Sequence, residues 1–303
     1  MSKGTQRYAS PLRYPGGKAK LANFLKLVLL ENGLVGTGYV EPYAGGASVA
    51  LTLLYEDYVG TAHINDLNPG VCAFWQSALH ETDALCELIT GAPLTAKEWR
   101  RQRGLAFDGT ATTLQRGFAT FYLNRTNRSG IVGGGLIGGL DQTGPWKMDA
   151  RFPRDELVRR VRKAARFRTR ITVGGQDTLA LLAGHAGQPD DRFYFLDPPY
   201  YVKGEGLYDN FYGHADHVAV REAVGRLDQP WVVSYDAAPE IVRLYDDYAP
   251  LRYSLTYSAS TRHQGAEVMF LSPGLAAPVD SPASVPAERV HQVRAGATQL
   301  PFR

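Results

Sequence analysis

The chain is short of the residues that announce a chemistry. Among its 303 residues only two are cysteine, Cys72 and Cys86, fourteen apart. That excludes a disulfide framework and offers no metal-type pair, so the cysteines are read as reduced, buried thiols of a cytoplasmic protein. No apolar run approaches the roughly 20 residues of a membrane helix, and the opening Met1-Ser2-Lys3-Gly4 lacks a signal-peptide core, so no membrane partner is expected. The net charge is only +3 and excludes little. There is no internal repeat, no Gly-x-Gly-x-x-Gly and no Walker-type Gly-Lys-Ser/Thr, which disfavours a pyrophosphate ligand.

What the chain does have is alternation of strand and helix patterns. Strands are expected at Gly38 to Glu41, Thr61 to Ile64, Ile171 to Val173, Phe193 to Leu196, Trp231 to Ser234, Leu251 to Tyr257 and Glu267 to Leu271. Helices are expected at Lys18 to Leu30, Ser48 to Tyr55, Ala73 to Leu79, Asp83 to Ile89, Thr113 to Leu123, Asp177 to Ala183, Asp216 to Leu227 and Pro239 to Tyr245. This order implies an α/β fold with a largely parallel, doubly wound sheet. Residues 91–170 are poor in strand signals and read as an insertion. Within them Ser129 to Gly144 holds seven glycines and reads as a long mobile surface loop. From Pro273 onward the composition turns to Pro, Ala, Ser and Val without periodicity, and residues 274–303 read as a disordered tail.

Asp197-Pro198-Pro199-Tyr200 follows the apolar run Phe193 to Leu196. It therefore stands at the carboxyl end of a buried strand, where open α/β sheets bind ligands. A carboxylate, two prolines of fixed φ and an aromatic ring suit a flat, amine-bearing ligand such as a nucleobase. A second constellation, Val40-Glu41-Pro42-Tyr43-Ala44-Gly45-Gly46-Ala47-Ser48, is a strand, a glycine turn and a helix start. Its backbone and helix N-terminus face a ligand closely. Asp66 stands twenty-one residues after Gly45, at the end of the next strand, the spacing of an acid on a ribose; the plainer reading of Asp66 is a helix cap. S-adenosylmethionine (SAM), with its ribose, adenine and amino-acid end, fits this pair. In Arg13-Tyr14-Pro15-Gly16-Gly17-Lys18, Lys18 is suited to a cofactor carboxylate and Tyr14 to an apolar or cationic face.

Taken in order, Arg13 to Lys18, Val40 to Ser48, Asn65-Asp66-Leu67-Asn68, Phe121-Tyr122-Leu123-Asn124-Arg125 and Asp197 to Tyr200 resemble the Dam-like family of adenine-specific DNA methyltransferases over roughly residues 12–272. The resemblance implies a Rossmann-like SAM-dependent methyltransferase sheet. Its catalytic domain would be residues 1–90 and 171–273, with target recognition in the inserted, mainly helical and loop-rich 91–170. It implies methyl transfer to the exocyclic N6 of adenine in double-stranded DNA, carried by Asp197, Pro198, Pro199 and Tyr200. It implies SAM contacts at Tyr14, Lys18, Glu41, Gly45, Asp66 and Asp197, with Asp177 near the cofactor adenine. No metal and a monomeric protein are expected.

The chemistry of the residues agrees. The adenine amine is a poor nucleophile because its lone pair is conjugated with the ring. The Asp197 carboxylate and the Pro198 carbonyl can hold both N–H groups and bias the nitrogen toward a tetrahedral shape. The target base must leave the helix stack, and Tyr200 offers it a stacking face. Asn124, Arg125, Asn127 and Arg128 suit base edges, where Arg pairs with guanine and Asn with adenine; phosphate contact or loop solvation is the plainer reading. Lys147, Arg151 and the basic run to Arg170 suit phosphates. The segment Tyr257 to Gly265 reads as a loop gripping DNA from the far side. Gln299-Leu300 followed by Phe302 faintly resembles a sliding-clamp-binding peptide, against an unstructured terminus as the plainer reading. Cytosine N4 in DNA, adenine N6 in RNA and a non-catalytic SAM- or DNA-binding module are the alternatives.

Overall fold

The computed structural model describes residues 9–13, 18–188, 190–202, 212–257, 263–278 and 281–298. A single 3-10 turn at Lys18–Leu21 leads into α1 (Ala22–Glu31), β1 (Gly38–Glu41), α2 (Ser48–Tyr55) and β2 (Thr61–Asn65). Five helices follow before the next strand: α3 (Pro69–His80), α4 (Thr82–Gly91), α5 (Ala96–Phe107), α6 (Thr113–Thr126) and α7 (Arg154–Ala165). Alternation then resumes with β3 (Ile171–Gly174), α8 (Thr178–His185), β4 (Arg192–Leu196), α9 (His214–Val224), β5 (Trp231–Asp236) and α10 (Pro239–Leu244). The hairpin β6 (Leu251–Tyr257) and β7 (His263–Leu271) and a last helix, α11 (Ala287–Thr298), complete the chain.

The seven strands lie in the order β3-β2-β1-β4-β5-β7-β6. The first five of these run parallel, and β7 runs antiparallel to both β5 and β6. Helices cover both faces, so the central strands are apolar on both sides. The period of two is visible in β4: Phe193 and Phe195 join one core with Phe24, Leu51 and Phe74, while Tyr194 and Leu196 join the other with Val220 and Ile241. The order reverses between β1 and β4, which makes the crevice beyond their carboxyl ends the topological switch point.

Two helices within residues 91–170, α5 and α7, were not among the expected elements. In α5 only Trp99 and Gln102 are buried, so no apolar stripe marks it. In α7 the buried Leu157, Val161, Ala164 and Ala165 form a helical stripe hidden under basic residues. This segment packs directly on the sheet's own helices: Phe121 of α6 stacks on Phe74 of α3 with ring centroids 5.5 Å apart. The loop from Ser129 to Gly144 is irregular, as its glycines require, but Gln142 laces it together. Its side chain donates to the carbonyls of Ile137 and Gly139 and accepts from the Met148 amide.

The tail is not without structure. The Asn32 side chain pairs with Ala276 through both its amide and carbonyl. The Asn23 side chain donates to the Val285 carbonyl. Further on, α11 lies on α1 with Val290 buried, and Arg294 donates to the Glu56 carbonyl. Few apolar residues suffice here because α1 already supplies the complementary surface. Gln299 to Arg303, with the clamp-like sequence, lie outside the described residues.

Candidate active site

Strand ends bring four acids to the switch-point crevice. Glu41 ends β1, Asp66 follows β2, Asp197 follows β4, and Glu267 comes in from β7, paired in register with Asp236 of β5. Glu41 is buried and its Oε2 accepts the amide of Ala50 and the hydroxyl of Tyr39. It thereby ties β1 to the first turn of α2. Burial pushes its carboxyl up to about 8, with Asp197 and Asp66 adding to the rise against the lowering effect of the Ala50 amide.

The glycine turn is held from both sides. The Gly45 amide donates to Asp66 Oδ2 at 2.8 Å, and the Gly45 carbonyl accepts from the Trp75 indole at 2.9 Å. Gly45 has φ of +46° and Ala47 φ of +48°, the left-handed region that a glycine enters at little cost. The other oxygen of Asp66 accepts the Asn68 amide. The helix cap of α3 is Asn68, which accepts from Gly70 and Val71, so the plain capping reading of Asp66 fails. The fully buried Asn65 joins the loops: its side chain donates to the Pro42 and Gln176 carbonyls and accepts the Gln176 amide.

Asp197 sits at the centre. Its Oδ1 lies 2.7 Å from Lys18 Nζ and accepts the Ser234 hydroxyl at 2.8 Å. Lys18 also reaches Glu267 Oε2 at 3.4 Å and lies 5.1 Å from the centre of the Tyr200 ring. The Tyr200 hydroxyl donates to that same Glu267 oxygen at 3.2 Å. Burial alone would lower the Lys18 ammonium, yet Asp197, then Tyr253 and Glu267, hold it well above its ordinary value. Pro198, Pro199 and Tyr200 are all buried. Beyond them, Asp236 accepts the amides of Tyr201 and Val202 and so fixes the exit of the turn.

Lys18, Glu41, Gly45, Asp66 and Asp197 are thus gathered in one crevice. Lys18 meets the protein's own carboxylates, where a cofactor carboxylate was expected. Asp177 is exposed and caps α8 through the amides of Leu179 and Ala180. Tyr14 and residues 258–262 lie outside the described residues. Ser234 and Glu267 were not singled out by sequence, although Ser234 ends an expected strand beside the main motif and Glu267 is a lone acid at the start of an apolar one.

The expected base-reading residues divide. Asn124, Arg125 and Asn127 are buried, because α6 turns them inward. Asn124 accepts the Arg13 amide at 2.7 Å and donates to the carbonyls of Arg13 at 2.6 Å and Gly130 at 2.8 Å. Arg125 donates to the Pro11 carbonyl. Asn127 accepts from the Trp99 indole and donates to the carbonyls of Ile131 and Val132. These three side chains build the protein and present nothing to a base edge. Arg128, Lys147 and Arg151 are exposed, and Trp146 beside Lys147 is 70% exposed.

The basic run to Arg170 is likewise not one surface. Arg154 donates to the carbonyls of Ile89, Thr90 and Ala92. Arg160 engages Glu156 and the Ser10 carbonyl. Arg170 engages Asp57 and the carbonyls of Val59 and Gly60, at the end of β2 away from Asp66. Among the described residues no three His, Cys, Asp or Glu gather as a metal site, and no helix is long and apolar enough to cross a membrane.

Residues 14–262 match the family described as D12 class N6 adenine-specific DNA methyltransferase. Among solved structures, a putative class I S-adenosylmethionine-dependent methyltransferase from Listeria monocytogenes is similar, with a TM-score of 0.39 and 10% identity over 98% of this chain and 73% of that one. No curated protein matches.

Proposed function

Because the chain belongs to the D12 class of N6 adenine-specific DNA methyltransferases, we propose that Asp197 and the Pro198 carbonyl hold the two N–H groups of a flipped-out adenine so that its N6 can take the methyl group that bound SAM would supply, the C–S bond breaking to leave S-adenosylhomocysteine and one N–H proton leaving through Asp197 to water. The observation that carries this is the state of Asp197. Lys18 and Ser234 both bind Oδ1, which fixes the carboxylate, and no donor among the described residues is bound to Oδ2, which is suited to accept an amine N–H. A neutral amine donating to an ionised carboxylate makes a charge-assisted bond, and losing conjugation exposes the nitrogen lone pair. Orientation of nitrogen, methyl carbon and sulfonium supplies much of the remaining acceleration.

The residues around the glycine turn fit SAM. Asp66 is a half-exposed carboxylate suited to ribose hydroxyls, and its neighbour Leu67 is 46% exposed, an apolar seat of the kind an adenine ring covers. A cavity of about 260 Å3 lined by Leu67, Pro69, Cys72, Gln76 and Gly175 adjoins them. SAM supplies the electrophilic methyl group when bound. Asp66 would release the Gly45 amide on taking the ribose, and Glu41 keeps the turn in place from below.

Flipping costs a few kcal/mol. Tyr200 repays roughly 1–3 kcal/mol if the base stacks on the ring face turned from Lys18. Arg128, Arg151 and Trp146 are exposed residues suited to DNA, with the charges meeting phosphates and the indole meeting bases, while the Lys147 ammonium would first have to leave the Gln142 and Gly144 carbonyls. The test is Asp197→Ala, assayed with labelled SAM on double-stranded DNA and on RNA, with nucleoside analysis of the product. The variant should keep its circular dichroism and transfer no methyl group. Full activity in that variant would remove Asp197 from the mechanism, and a product other than N6-methyladenine would reassign the substrate.

A further inference from the structure

The ammonium of Lys18 stands between two carboxylates that play unequal parts. Asp197 is at the mouth of the crevice and takes the ammonium at 2.7 Å. Glu267 is 1% exposed and takes it at 3.4 Å. An ionised side chain buried to that degree costs several kcal/mol unless it is paired. Glu267 also accepts the Tyr200 hydroxyl on the same oxygen. One buried acid therefore touches Lys18, which binds Asp197, and Tyr200, which closes the motif. Nothing about β7 as a strand requires an acid there, since its neighbours Val268, Met269 and Phe270 are buried apolar residues.

We propose that Glu267 is a positioning residue of methyl transfer, drawing Lys18 back from Asp197 and anchoring the ring of Tyr200. This rests on the reading of Asp197 as the acceptor of the target amine. Its physical content is a competition. With two carboxylates to serve, Lys18 neutralises Asp197 only in part, and Asp197 keeps acceptor strength for the incoming N–H. With Glu267 made neutral, the ammonium belongs to Asp197 alone and weakens it. The titratable groups that act with Asp197 in the crevice are Lys18, Tyr39, Glu41, Tyr253 and Glu267. Among the described residues the carboxylates that contact the ammonium are those of Asp197 and Glu267, with the Ser234 hydroxyl also 3.4 Å from it.

Two measurements test the proposal. In DNA-free protein labelled at the aspartate carboxyl carbon, Glu267→Gln should lower the NMR titration midpoint of Asp197, because a negative neighbour is gone and Lys18 closes in. Glu267→Asp, which keeps the charge, should restore most of it. In steady-state kinetics Glu267→Gln should lower kcat roughly 10- to 100-fold, with KM for SAM and DNA nearly unchanged, and should move the acid limb of the kcat profile to lower pH. In a Lys18→Met background the same substitution should cost only the smaller Tyr200 anchoring part. An unmoved Asp197 midpoint, or equal losses with and without Lys18, overturns the role of Glu267. A midpoint that moves in a protein that methylates no nucleic acid leaves the coupling standing and overturns the reading of the site.

Discussion

Asn124→Ala separates two roles for one residue, base reader or internal brace. The side chain satisfies three backbone groups: the amide and carbonyl of Arg13 and the carbonyl of Gly130. Asn124 is 2% exposed and Gly130 is buried, while Arg13 is half-buried. Each buried group left without a partner costs about 1–3 kcal/mol, and the two Arg13 groups partly recover water. The sum is about 3 kcal/mol, which for a chain of this size lowers Tm by roughly 5 °C. Asn124→Asp keeps the acceptor for the Arg13 amide but turns an anionic oxygen toward two carbonyls, so it should be at least as damaging. Calorimetry of both variants, beside duplex affinity, decides the matter. A Tm within about 1 °C of wild type, as for a surface substitution, combined with lost sequence preference, would refute the brace and restore the base contact.

Glu41→Gln should change the pH dependence of stability. Burial holds the folded carboxyl near 8 against an ordinary 4.5, so its contribution is fully present below about 4.5 and is lost as pH rises to about 8. Across that window the wild type should lose roughly 1.4 kcal/mol per pH unit relative to the variant; parallel urea-unfolding curves from pH 5 to 8 would contradict a protonated Glu41. Trp146 should report DNA binding, since it is 70% exposed while Trp75, Trp99 and Trp231 are at most 8% exposed. Acrylamide should quench mainly Trp146, and a saturating duplex should protect it; unchanged quenching with DNA bound would take the indole out of the interface.

The sheet was legible because its strands are continuous apolar runs bounded by turns. Gly38 to Glu41, Ser48 to Tyr55 and Leu251 to Tyr257 coincide with β1, α2 and β6. The crevice was legible for a related reason: Asp66 and Asp197 end such runs, and strand ends meet at the switch point. Contacts that depend on tertiary approach were not legible. Asn124 and Arg125 have the composition of a nucleic-acid contact, and only the turn of α6 shows that their polar ends face the backbone of residues 11–13. Glu267 escaped because one acid in an apolar strand has no local signature; its partners Lys18 and Tyr200 lie 249 and 67 residues away. The helix α11 escaped because its apolar residues are few and its stability comes from α1.

The grip of α6 on residues 11–13 bears on exchanging residues 91–170 between relatives. Asn124 and Arg125 hold main-chain atoms alone: the Arg13 amide and carbonyl and the Pro11 carbonyl. Such a clasp is itself indifferent to the side chains it encloses; what restricts Ser10 and Leu12 is their own burial, Leu12 in the main core. The opposite holds at Gly130, where a Cβ would come within 2.8 Å of the Arg13 carbonyl and φ is +80°. Residues 91–170 are also held through Phe121 on Phe74 and through Arg154 on the carbonyls of Ile89, Thr90 and Ala92, so a chimaera with a foreign stretch there should fold only when it brings those contacts as well as an equivalent asparagine and glycine.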